Sequence, residues 1–131
     1  MSLTSSDRTL YQVGASGQRT YGWNRLVGTT TIDGASAQVE LLASVRYRTG
    51  NGPFSGFITL KLADGSSLGL RVTGRTTASP DGTDASFRAT LTVIGGTGAQ
   101  AATTGHGSFT GSRQAALGGR VDLDVTLVLR G

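Results

Sequence analysis

Cysteine is absent from this 131-residue chain, and histidine occurs once, at His106. Disulfides, thiolate nucleophiles and cysteine-based metal centres are therefore excluded, as is a histidine-rich metal site; neither metal nor cofactor is expected. A chain without thiols suits a cytoplasmic setting. Glutamate is confined to Glu40 and lysine to Lys61, so acid–base chemistry has few carriers. No run approaches the roughly 18 apolar residues of a membrane span. No basic segment followed by an apolar one opens the sequence, so no signal peptide is expected. Proline occurs twice, and no capped segment of helical period is found.

What is present is glycine, 21 residues of it, together with arginine and a net charge of +4. Frequent glycine with little proline, set among alternating Val, Leu and Thr, points to turns and bulges in a β-protein rather than to disorder. The arginines are dispersed from Arg8 to Arg130 and form no basic tract.

Period-2 alternation recurs along the chain. Residues 20–32 read as a first long strand, bent at Gly22 or Gly28. In residues 37–48, Val39, Leu41, Ala43, Val45 and Tyr47 share one face, with Leu42 the one apolar residue on the other. Residues 49–56 read as a loop. Residues 57–74 form a hairpin about Asp64-Gly65, with Ile58, Leu60 and Leu62 facing Leu68, Leu70 and Val72. A loop at 79–84 precedes a strand at 86–94, with Phe87, Ala89, Leu91 and Val93 inward. A short strand at 107–112 and a last one carrying Val121, Leu123, Val125, Leu127 and Leu129 complete the set. That makes seven or eight strands, each with a single apolar face. An antiparallel sheet of this kind is buried by a sandwich or by closure; closure also removes edges. The expectation is all-β: one antiparallel barrel of about eight strands in a single domain over 1–131, with residues 1–8 a loose lead-in.

The stretch VIGGTGAQAATTGHGSFTG, residues 93–111, looks at first like a phosphate loop. Such a loop needs a helix behind its glycines to hold the anion, and a Lys-Ser/Thr pair. Here the chain returns to β-pattern by Ser108. A corner is the better reading, with Gly95 and Gly96 supplying positive φ or close backbone approach. Residues 99–104 then form one helical turn or a wide loop.

This corner, with Gly95, Gly96, Thr97 and Gly98 followed by Gly105, resembles the corresponding segment of the allene oxide cyclase and dirigent families. The hairpin before it and the closing VDLDVTLVLRG are similar to those families as well. The likeness covers roughly residues 57–131; Gln100 stands where the family usually has an aromatic and Ala102 where it often has glycine. The chain is also similar to small barrels that close spirotetronate rings. The resemblance implies a small barrel whose apolar interior shapes a reactive ligand, and assembly into dimers or trimers. The cyclase's acidic residue has no counterpart, since residues 20–32 contain neither Asp nor Glu, so no catalytic residue is carried over.

Tyr21, Trp23 and Arg25 share one face of the first long strand. Two readings stand: core packing for the aromatics, or a pocket wall in which Trp23 stacks a ligand and Arg25 binds its carboxylate or enolate. Tyr47 is counted with the same wall. A lone Arg on that face needs solvent or a partner. Glu40 reads as an outward ion pair with Arg46 or Arg48; inverted register would make it an acid/base candidate inside. His106, near Ser108, has neither an orienting third group nor an oxyanion hole and reads as a surface loop residue. Arg46, Arg48, Lys61, Arg71, Arg75 and Arg88 fall on outward faces and in a barrel could make a basic stripe; without interleaved aromatics it reads as solvated surface or an oligomer contact, and nucleic acid is not an expected partner. The leading function is a barrel that binds an apolar small molecule, polyketide- or fatty-acid-like, and guides its cyclisation or isomerisation by holding its conformation. The rival is a non-enzymatic, oligomerising barrel with a filled interior.

Overall fold

The computed structural model describes residues 1–14, 19–32, 34–81, 83–114 and 120–131. Gly82, inside the loop expected at 79–84, lies outside them. Eight strands follow in order: β1 (Ser2–Val13), β2 (Arg19–Ile32), β3 (Ala35–Arg48), β4 (Gly52–Leu62), β5 (Ser67–Ala78), β6 (Asp84–Thr97), β7 (Thr104–Gln114) and β8 (Val121–Arg130). Each pairs antiparallel with the next, and β1 meets β8 to close the barrel. The expected all-β barrel is therefore the observed fold. Among the described residues no helix is long and apolar enough to cross a membrane.

The inward faces follow the alternation read from the sequence. Ile58 opposes Leu70 and Leu60 opposes Leu68, while Leu41 opposes both Leu26 and Ile58. Ile58, Leu60, Leu68, Leu70, Val72 and Leu91 are all but inaccessible to solvent. Fully burying a side chain of this size contributes about 1.5–3 kcal/mol, so these residues form the main stabilising core.

Local chemistry fixes the turns. Thr49 and Gly50 both have positive φ, at 51° and 79°, and Arg48 and Asn51 exchange backbone hydrogen bonds of 2.7 and 3.0 Å. That is a two-residue turn matched to strand twist. It shortens the loop expected at 49–56, whose remaining residues enter β4. At the Asp64-Gly65 turn, Asp64 Oδ1 accepts the Ser66 amide at 2.8 Å.

The glycine-rich corner is a corner, with one 3₁₀ turn at Gly98–Gln100. Gly95 has neither positive φ nor a close neighbour. The constraints fall elsewhere: Gly98 has φ +57°, and a side chain at Gly96 would meet the Gln100 carbonyl. β6 extends to Thr97 rather than ending at Ile94 because a register shift between Gly69 and Leu70 lets pairing resume beyond Ile94.

Residues 1–8 are not a loose lead-in. Residues 2–8 belong to β1, which pairs with β2 from Ser2 to Val13 across an irregularity between Ser5 and Asp7. Closure rests on few contacts. Ser2 pairs with Asp122 and Leu3 with Val121, and Leu123 N–H donates to the Met1 carbonyl at 2.8 Å. Ser2 Oγ donates to Asp122 Oδ1 at 2.6 Å. Beyond Leu3, β1 has no β8 partner among the described residues, since β8 begins at Val121, and a seam runs along β1 there.

Candidate functional site: the interior cavity and its arginine mouth

Inward positions change character along the barrel. Towards the end where β1, β3, β5 and β7 finish, they include Thr20, Gly22, Ala43, Gly74, Ala89 and Gly111, with Leu and Ile giving way to small or polar residues. Side chains no longer fill the space. A cavity of about 230 Å³ remains, walled by Leu26, Leu41, Val45, Val121 and Leu123, with Phe54, Phe87 and Phe109 among its lining. The rings order one another: Phe54 meets Phe87 edge-on (6.2 Å, 87°) and stacks with Phe109 (6.2 Å, 19°). Among the described residues the interior is thus packed solid through its middle and leaves this cavity at one end, with a shallower hollow lined by Ile32, Leu127 and Leu129 at the other.

Polar groups gather where the cavity reaches solvent. Arg8 and Gln12 enter from β1, Thr20 and Asn24 from β2, Tyr47 from β3 and Arg113 from β7. A larger groove of about 550 Å³ lies beside the cavity along the seam and shares Arg8, Asn24 and Arg113 with it. Asn24 is oriented by Ser5, whose Oγ donates to Asn24 Oδ1 at 2.6 Å. Among the described residues neither Arg8 nor Arg113 has an ion-pair partner. Among the described residues the cavity lining contains no Asp or Glu. Two uncompensated guanidinium groups beside an apolar, low-dielectric wall favour an anionic ligand group.

Tyr47 is the lining group best placed to carry a proton. Its hydroxyl is 2.6 Å from Thr76 Oγ1. Burial raises its pKa above the usual 10.0, against opposing contributions from the Thr76 hydrogen bond and the positive charge of Arg113. A raised folded-state pKa means that the folded protein holds this proton more tightly than the unfolded chain. The resulting stability is fully present below pH 10 and is lost as pH rises through the folded pKa. Tyr47→Phe should therefore flatten the alkaline limb of a stability–pH curve followed by circular dichroism. At neutral pH it should cost about 1–3 kcal/mol, because the buried Thr76 hydroxyl loses its partner. An unchanged alkaline limb would remove Tyr47 as its cause.

Of the four residues expected to line a pocket, Tyr47 does so. Tyr21, Trp23 and Arg25 do not. They project outward from β2, with Tyr21 54% and Trp23 41% exposed, while Thr20, Asn24 and Leu26 face the cavity. Neither the pocket-wall nor the core reading holds for the two aromatics. Arg25 has a partner: its Nε donates to Glu40 Oε2 at 2.8 Å, and Nη1 donates to Ser6 Oγ at 2.7 Å. Glu40 is thus an outward ion-pair residue, paired across the strands with Arg25 rather than with Arg46 or Arg48. His106 and Ser108 lie on the outer face of β7, so His106 is a surface residue of a strand rather than of a loop.

Sequence reasoning missed Arg8 and Arg113. Arg8 sits just beyond the irregularity that interrupts alternation in β1. Arg113 follows Phe109 and Gly111 at period 2, and that spacing was the available signal. Among the described residues no group of three or more His, Asp or Glu gathers to hold a metal ion. Comparison of the chain with family models, with curated proteins and with solved structures yields no match.

Proposed function

We propose that the barrel binds a small apolar molecule carrying an acidic or enolate group, of polyketide- or fatty-acid-like chemistry. The apolar body lies against Phe54, Phe87 and Phe109, and the anion is held at the mouth by Arg8 and Arg113. The observation that carries this reading is the pairing of an unfilled apolar cavity with two arginines that have no ion-pair partner among the described residues. The volume equals roughly seven or eight liquid waters, so a short chain or a single ring enters and the remainder lies in the seam groove.

In such a site the walls restrict the ligand's conformers, and the arginines stabilise negative charge that develops on it. Cyclisation or isomerisation needing little proton transfer suits a lining whose proton carrier is Tyr47. This is the activity that the resemblance to allene oxide cyclase-type barrels implies, and it stands here as part of the proposal. Assembly into a homo-oligomer stands on the same footing.

The test is a thermal-shift and native mass-spectrometry comparison of octanoate and decanoate with the corresponding alcohols. The carboxylates should raise the melting temperature more than the alcohols do. The Arg8→Gln/Arg113→Gln double variant should lose that preference, with carboxylate affinity falling by roughly tenfold or more. Trp23→Ala should leave it unchanged, since Trp23 lies outside the cavity. No shift by any of the ligands, with Phe54→Ala merely melting earlier, would favour the structural barrel instead.

A further inference from the structure

The outer face of the barrel carries a second, separate arrangement. Two strand pairs set arginine directly opposite arginine, Arg19 with Arg48 and Arg75 with Arg88. Like charges placed so destabilise a sheet. All four are exposed, and among the described residues none is in an ion pair. Arg46 lies between the two pairs, opposite Tyr21. Tyr21 in turn faces the exposed Tyr11 on β1, and Trp23 follows on the same face one step along β2. The acidic groups of β1–β3, Asp7 and Glu40, lie beyond Trp23 around Arg25 and so bound the basic strip on one side.

We propose that this strip, running from β1 to β6 at the mouth end, binds single-stranded nucleic acid, with Tyr21 and Trp23 as stacking platforms and the paired arginines holding phosphates. The occupant follows from the chemistry. A second copy of the chain seated here by a two-fold axis would set two basic strips of the same sign against one another. A polyanion compensates the arginines, and one with unpaired bases also covers the exposed rings. A duplex keeps its base faces stacked and cannot use them. Five strand spacings give about 24 Å of track, room for several nucleotides. The expectation that nucleic acid is not a partner rested on arginines without aromatics among them; with Tyr21 and Trp23 projecting outward, that ground is gone.

The test uses a fluorescein-labelled oligothymidylate of about 15 nucleotides and the whole chain. Anisotropy should report binding that weakens with salt, with a log–log slope of about −0.7 for each phosphate contacted. Fluorescence of Trp23, the one tryptophan, should be quenched as bases stack. Trp23→Ala should weaken binding by roughly tenfold or more. Arg75→Ala/Arg88→Ala should reduce the salt slope without lowering the melting temperature. Saturating octanoate should leave oligonucleotide binding unchanged, which separates this surface from the cavity. Three results would overturn the proposal: no binding at low salt; binding with neither quenching nor sensitivity to Trp23→Ala, which is charge adsorption alone; or sedimentation as a dimer in which Trp23 is shielded from acrylamide and the oligonucleotide does not compete.

Discussion

Phe54→Ala is expected to destabilise the barrel by about 3 kcal/mol, the lower end of the range for deleting a buried phenyl ring. Phe54 is 6% exposed and is the ring common to both aromatic contacts, edge-on to Phe87 and stacked on Phe109. Its removal forfeits the transfer energy of the ring and both ring–ring contacts. The void would join a cavity that already exists, so less new apolar surface is created than in a sealed core, which keeps the loss from the top of the range. For a domain of this size the melting temperature should fall by roughly 10 °C, measured by calorimetry. A fall of under about 3 °C would mean that Phe54 is a loose pocket wall rather than a packing element.

Gly74→Ala is expected to cost about 3 kcal/mol as well, through overpacking. A Cβ there would stand 2.5 Å from Phe54 Cζ, 2.6 Å from the Arg88 carbonyl oxygen and 2.7 Å from Ala89 Cβ. The ring could turn aside, but the Arg88 carbonyl is part of the β5–β6 pairing and cannot move without disturbing the sheet. The two substitutions share a contact, so they should not add. In the Phe54→Ala/Gly74→Ala double variant the ring clash is gone while the β6 clashes remain. Urea denaturation should show a total below the sum of the singles by about 0.5–3 kcal/mol. Additivity within about 0.5 kcal/mol would place the whole obstruction in the β6 backbone.

Which residues of β3, β5, β6 and β8, and of β4 beyond Phe57, face inward was legible from alternation alone, because side chains in a strand alternate strictly between faces. Val39 through Tyr47, the Ile58/Leu70 hairpin and Val121 through Leu129 all lie as their periodicity indicates. β2 was misread for an instructive reason. Its large residues, Tyr21 and Trp23, occupy one parity, and its inward parity is Thr20, Gly22, Asn24, Leu26 and Gly28. Size drew the inference to the wrong face. Register decides otherwise: Leu26 must meet Leu41 and Gly28 must meet Val39, and a shift of one residue would reverse every side chain of the strand. β1 was missed because it is rich in Ser and Thr and because its irregularity breaks the alternation between Leu3 and Leu10.

The sequence by itself determined the all-β class, the approximate strand number, the inward faces of β3, β5, β6, β8 and the second half of β4, and the corner at Gly95–Gly98, all consequences of local periodicity and turn chemistry. Tertiary structure alone decided where the interior stays empty, that the seam along β1 opens beside it, and that Arg8 and Arg113, from opposite ends of the chain, meet at its mouth. Those outcomes depend on how eight registers add up around a closed ring. A closed ring is a global constraint: no single strand carries it, and the side chains brought together by closure are neighbours in space without being neighbours in any local pattern.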